Sequence, residues 1–133
     1  MRILVIDDNL TARTIAEVLL TAYGRCDAAQ DGEDGLALFR AAHEAGDPYG
    51  LVTVDIQLPG MAGQEVVKAI RRHEEERGVA EAKVVMVTGM DDLENMSSSF
   101  WQGCQGYLVK PLTAQNLQAT MEHLYIEPLE RSA

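Results

Sequence analysis

The sequence predicts an α/β domain built on a doubly wound parallel sheet, and three observations carry that reading. Short apolar runs rich in β-branched residues alternate five times with longer segments of helical period. Several of those runs are continuously hydrophobic, which is the pattern of strands covered by helices on both faces of a parallel sheet. The chain has 133 residues, 47% of them hydrophobic and 24% charged, the size and composition of one folded domain with a substantial core.

The elements follow in order. Ile3-Leu4-Val5-Ile6 forms the first run. Leu10 to Tyr23 reads as a helix with Ile15, Val18, Leu19 and Ala22 on one face, and Gly24 is placed to stop it. A weaker strand, Arg25 to Ala29, leads through the Asp31-Gly32 turn to a second helix marked by Leu36 and Phe39 and ended by Gly46-Asp47-Pro48. Leu51-Val52-Thr53-Val54 is the third strand, and Val66, Val67 and Ile70 mark the helix after it, with Gly63 permitting the turn into that helix. Its far end, Arg71 to Arg77 with Glu74-Glu75-Glu76, reads as a solvated stretch of i,i+4 pairs. Val84-Val85-Met86-Val87 is the fourth strand, followed by a helix marked by Leu93, Met96 and Phe100 and weakened by Ser97-Ser98-Ser99. Tyr107-Leu108-Val109 is the fifth strand, and Thr113 caps a last helix bearing Leu117, Met121 and Leu124. The domain is expected to span residues 1–126, with 127–133 as a short tail too small for an output domain.

Composition excludes several functions. Eleven Lys and Arg against 21 Asp and Glu give a net charge of −10 and a pI near 4.6. That field repels a phosphate backbone, so no nucleic-acid partner is expected. No apolar run exceeds four residues, so neither membrane insertion nor a signal-peptide core is expected. Cys26 and Cys104 lack CxxC spacing, which favours a reducing compartment and a cytoplasmic location. His43, His73 and His123 are scattered and read as surface residues, and no GxxxxGK phosphate loop occurs.

In open parallel sheets, ligand sites gather beyond the carboxyl ends of the strands. Asp7 and Asp8 follow the first run, Asp55 ends the third, Thr88 the fourth and Lys110 the fifth. Singly, each has a plain alternative: Asp7-Asp8 could cap the first helix, and Lys110 could be a solvated loop residue. Together they are harder to dismiss, because clustered carboxylates repel one another unless a cation joins them. Oxygen ligands with room for water suit Mg²⁺.

Asp7-Asp8, Asp55-Ile56-Gln57-Leu58-Pro59, Val87-Thr88-Gly89 and Gly106-Tyr107-Leu108-Val109-Lys110-Pro111 resemble, in order and spacing, the signature set of bacterial two-component response-regulator receiver domains. The resemblance covers Arg2 to about Tyr125. It implies a (βα)5 flavodoxin-like fold with strand order 2-1-3-4-5 and a stand-alone module of the chemotaxis-regulator (CheY-like) type. It also implies the roles. Asp55 is the phosphoacceptor for a kinase phosphohistidine; Asp8, Asp55 and the backbone carbonyl of Gln57 ligate Mg²⁺ directly, and Asp7 does so through water. Mn²⁺ is expected to substitute. Lys110 and Thr88 contact phosphoryl oxygens, Pro111 follows a cis bond, and Tyr107 turns inward as Thr88 moves. That movement reshapes the face formed by the fourth helix, fifth strand and fifth helix, where a protein target binds. Gln57 and Met90 stand at the two variable positions that tune phosphoryl lifetime, and Trp101 is a candidate partner contact at the end of the fourth helix.

The implied partners are a sensor histidine kinase or phosphotransfer protein and an unidentified downstream protein, with the chain a monomer or weak dimer. Its only catalysis would be of its own phosphorylation and dephosphorylation. One rival is a receiver excised from a longer regulator with a DNA-binding or enzymatic output. Another is a Mg²⁺-dependent phosphohydrolase with an Asp nucleophile, though Asp7-Asp8-Asn9 lacks the second Asp two residues on that such enzymes carry. A phosphorylation-independent scaffold is disfavoured, because all five chemical residues are present.

Overall fold

The computed structural model describes residues 1–89, 92 and 102–129. The chain runs β1 (Arg2–Ile6), α1 (Leu10–Leu20), β2 (Arg25–Ala29), α2 (Gly32–Glu44), β3 (Leu51–Asp55), α3 (Gly63–Arg77), β4 (Lys83–Thr88), β5 (Gly106–Val109) and α4 (Ala114–His123). All strand pairs are parallel, in the order β2-β1-β3-β4-β5. The fold is therefore the doubly wound one expected. The helix expected around Leu93 to Phe100, with Met90 and Trp101, lies outside the described residues, so the last helix of the sequence is α4 here.

The pleat divides each central strand between two cores. Leu4 and Ile6 of β1, Val52 and Val54 of β3, and Val84 and Met86 of β4 face Phe39 of α2 and Val66, Val67 and Ile70 of α3. Ile3, Val5, Leu51, Val85 and Val87 face Ala16 and Leu20 of α1 and Leu117 and Met121 of α4. β1 and β3 lie at the sheet's centre and are buried on both sides, so their runs are unbroken. β2 lies at the edge and is only partly buried, which is why its run is weak. Burying a Leu or Ile side chain contributes about 1.5–3 kcal/mol, and two full layers of them hold the sheet.

Local chemistry sets the ends of the helices. The Asn9 side chain, and neither aspartate, caps α1 by accepting from the Ala12 N–H; Asp31 caps α2 through Asp34. Thr113 and Asn116 form a reciprocal capping box on α4. Gly78, at φ 62°, ends α3 in the left-handed conformation.

Four expectations need correction. α1 stops at Leu20, and most of the stripe read as its core face points outward: Val18 is 65% and Ile15 40% exposed and Ala22 is exposed too, while Leu19 packs against the core beside buried Ala16 and Leu20. Gly24 does not end that helix. It lies where a Cβ would come 2.2 Å from the Met1 carbonyl oxygen, beside the Arg25 N–H that donates to it. The Arg71–Arg77 end of α3 is not uniformly solvated. Glu74 is 2% exposed, pairs with Arg71 at 2.7 Å and accepts from the Ala82 N–H at 2.6 Å. The Arg71 guanidinium also donates to the Gly103 carbonyl and to Gln105, fastening the entry to β5 onto α3.

His43 and His73 also differ from the plain surface residues expected. They are half-buried, 5.1 Å apart between ring centroids, and both pack edge-on to Phe39 between α2 and α3. Cys26 packs against one core and Cys104 against the other, and burial pushes both thiols up to about 11. Opposite faces of the sheet keep them apart.

Candidate functional site

The carboxyl end of β1 delivers Asp7 and Asp8, and that of β3 delivers Asp55. Because the two strands are neighbours in register, with Ile6 beside Val54, the three carboxylates meet. One oxygen from each lies within 4.8 Å of the others. Asp7 and Asp55 are buried and Asp8 is exposed, so the cluster opens to solvent on one side. An all-oxygen donor set of this size, with an open side for water, fits a hard divalent cation such as Mg²⁺.

Lys110 reaches over from the end of β5. Its Nζ stands 2.9 Å from Asp55 Oδ2 and 3.2 Å from Asp7 Oδ2. One ammonium against three carboxylates leaves excess negative charge that a divalent cation would offset. Burial opposes the charge on Lys110, but the hydrogen bond it donates to Asp55 and the charges of Asp55 and Asp7 prevail and hold its pKa above the usual lysine range. Burial pushes the Asp55 carboxyl up, with Asp7 acting in the same direction. Lys110 and the Gln57 N–H, which donates to Asp55 Oδ1 at 3.0 Å, offset part of that shift. The acceptor carboxylate thus sits in surroundings that solvate it poorly, with Lys110 and the Gln57 N–H as its polar partners.

The loop carrying Asp55 is fixed by a close backbone approach. Gly63 opens α3 with its N–H on the Ile56 carbonyl, and a Cβ there would lie 2.3 Å from the Asp55 carbonyl oxygen. The sequence showed Gly63 only as a turn residue. Its packing against the acceptor's own backbone could not be read from one chain. On the other side of the site, Asp7 Oδ1 accepts from the Asn9 N–H and the Asp7 carbonyl accepts from Arg13.

Thr88, at the end of β4, is 1% exposed, and its hydroxyl donates to the Gly89 carbonyl. Tyr107, on β5, is 49% exposed and so lies outward. The Lys110–Pro111 peptide is cis. Gln57 is exposed at the mouth of the site, and its side-chain amide donates to Asp92 Oδ1 at 3.1 Å, a partner that sequence reasoning missed. Nothing in the residue types at positions 57 and 92 signals that pairing, because 35 residues separate them. Met90 and Trp101 lie outside the described residues.

The sheet order and the acidic edge define a class, the doubly wound signalling domains with a carboxylate cluster at the central strand ends. Residues 3–122 match the family model described as response regulator receiver domain, and the chain belongs to that family, whose members serve two-component signalling. It is 33% identical over 125 residues to the chemotaxis protein CheY-3 of Vibrio cholerae, covering 94% of this chain and 92% of that one. It is 28% identical to the probable transcriptional regulator ycf27 of Cyanophora paradoxa, covering 92% of this chain and 47% of that longer protein. Among solved structures, the response regulator TrrA of Thermotoga maritima, in complex with Mg²⁺ and BeF, superposes with a TM-score of 0.74. It is 29% identical, and the match covers 92% of this chain and 97% of that one. No helix among the described residues is long and apolar enough to cross a membrane.

Proposed function

We propose that this chain is a phosphoacceptor module of a two-component relay, with Asp55 as the residue modified. The observation that carries the reading is the Asp55–Lys110 contact of 2.9 Å inside the Asp7, Asp8 and Asp55 cluster. An Asp55 oxygen attacks phosphorus on the donor's phosphohistidine. A new O–P bond forms, the N–P bond breaks, and its electron pair returns to the imidazole. The product is an acyl phosphate on Asp55. Lys110, already beside the acceptor, then holds a phosphoryl oxygen, and the Thr88 hydroxyl leaves the Gly89 carbonyl to donate to another. Tyr107, which starts outward, follows Thr88 inward and alters the surface around β5 for a protein target.

Asp8, Asp55 and the Gln57 carbonyl would hold Mg²⁺ directly, with Asp7 acting through water and Mn²⁺ as a substitute. The bound ion supplies positive charge that offsets the negative charge of the transferring phosphoryl group. The outward stripe of α1 supports a docking role: Leu10, Ile15 and Val18 are exposed beside a cleft of about 400 Å³ lined by Thr11, Ala12, Lys110, Pro111 and Leu112. A phosphodonor, either a histidine kinase or a phosphotransfer protein, would sit there with its imidazole toward Asp55. We place the protein in the cytoplasm, where its partly buried free thiols stay reduced. The receiver unit takes residues 1–126, since Leu124 and Ile126 are still buried in the core, and 127–133 form the tail.

Incubation with acetyl phosphate and Mg²⁺, followed by intact-mass analysis, tests this. One phosphate is expected, absent with EDTA and absent in Asp55→Asn. Label that persists in Asp55→Asn contradicts the assignment.

A further inference from the structure

Asp92 is a charged group beside Gln57 that the reaction described above does not use. Its two oxygens face two different loops. Oδ1 accepts from the Gln57 amide on the β3–α3 loop at 3.1 Å, and Oδ2 lies 3.7 Å from where a Cβ of Gly89 would stand, just past β4. Gln57 in turn is anchored at its backbone, whose N–H is on Asp55 Oδ1. The Gln57 side chain is therefore tied at both ends: to the acceptor through its own backbone, and to the β4 side through Asp92.

β3 lies between β1 and β4 in the sheet. The Gln57–Asp92 bridge consequently crosses the mouth on the Thr88 side of Asp55, opposite the Asp7 and Asp8 carboxylates. An exposed glutamine with no tether samples many rotamers, and holding it in one of them costs side-chain entropy. The carboxylate offsets that cost with a charge-assisted hydrogen bond. It also fixes the sense of the amide, with the NH₂ group toward Asp92 and the carbonyl oxygen turned away from it.

We infer that Asp92 is a positioning residue that holds Gln57 across the mouth and thereby slows hydrolysis of the phosphorylated Asp55. The inference rests on the acceptor role proposed for Asp55. Hydrolysis needs a water oxygen to reach phosphorus on the side away from the Asp55 oxygen. The P–O bond to Asp55 then breaks, the carboxylate leaves with the electron pair, inorganic phosphate departs, and the water's proton passes to solvent. A glutamine held across the mouth obstructs that approach. A released one swings clear.

The test is loss of radiolabelled phosphate after removal of acetyl phosphate, followed in the wild type, Asp92→Ala, Asp92→Asn, Gln57→Ala and the Asp92→Ala/Gln57→Ala double variant. Losing one hydrogen bond of this kind corresponds to about a threefold faster decay in Asp92→Ala. Asp92→Asn keeps an acceptor oxygen without the charge and should restore most of the wild-type lifetime. The double variant should decay no faster than Gln57→Ala alone, because Asp92 acts only through Gln57. Additive rates in the double variant, or unchanged or slower decay in Asp92→Ala, overturn the inference. A wild-type chain that takes no label at all overturns the acceptor role itself, which is a separate failure.

Discussion

Lys110 shares its ammonium between Asp55 and Asp7, at 2.9 and 3.2 Å, and so occupies the electrostatic place a divalent cation competes for. Lys110→Ala should therefore bind Mg²⁺ as tightly as the wild type or more tightly, yet accept phosphate poorly. Asp8→Ala should lose Mg²⁺ affinity by more than the roughly 10–100-fold typical of a lost outer partner. Asp7→Ala should lose less, since its contact runs through water. Calorimetric Mg²⁺ titration of the three variants checks the ranking; a Lys110→Ala protein that no longer binds the ion contradicts it. The polar residues of this edge were legible in the sequence, because each follows an apolar run and strand ends share one edge of a parallel sheet. Asp92 was not legible, because it follows no strand directly and its value lies in a contact made 35 residues away.

At the scale of elements, α3 does more than cover the sheet. Its first residue, Gly63, lies so close to the acceptor's backbone that a methyl group cannot fit without displacing it. Gly63→Ala should cost about 1–3 kcal/mol of stability and should impair phosphorylation by moving the Asp55 loop. Urea melts and labelling on the same sample measure both. Near its other end, Glu74→Ala would leave the Ala82 N–H without an acceptor and Arg71 without its buried partner. A loss of about 3 kcal/mol is expected from denaturant unfolding, and a loss under about 0.5 kcal/mol, the range of ordinary surface changes, would mean the pair is solvated after all. Periodicity read the helix positions well where one face is buried and the other wet, as in α2. It failed in α1, where Ile15 and Val18 face outward while small Ala16 packs on the sheet with Leu20. It failed for Glu74 because a buried carboxylate and a solvated one have the same sequence signature when three glutamates adjoin.

At the scale of the whole molecule, two helical layers sandwich one sheet, and the α2–α3 layer carries a pH dependence of its own. Burial holds the His73 imidazole below its usual range near 6.5, with His43, Arg40 and Arg77 adding to the effect and Glu76 opposing it. The unfolded chain takes up a proton there more readily than the folded one, so stability should fall as pH drops below about 6.5. His73→Gln should flatten that part of the profile, and an unchanged slope in thermal melts between pH 7 and 5 would contradict the assignment. The strand order itself came from family resemblance, since apolar runs show where strands lie and not which are neighbours. That order brings β1 and β3 together and so makes one site of Asp7, Asp8 and Asp55. The most direct test of that site is to phosphorylate the protein with acetyl phosphate and Mg²⁺, reduce it with borohydride, and sequence the peptides by mass spectrometry. Borohydride cleaves an aspartyl phosphate to homoserine, so homoserine is predicted at position 55 and at no other aspartate. Homoserine at Asp7, Asp8 or Asp92, or none anywhere in a chain that has taken up phosphate, would contradict the account.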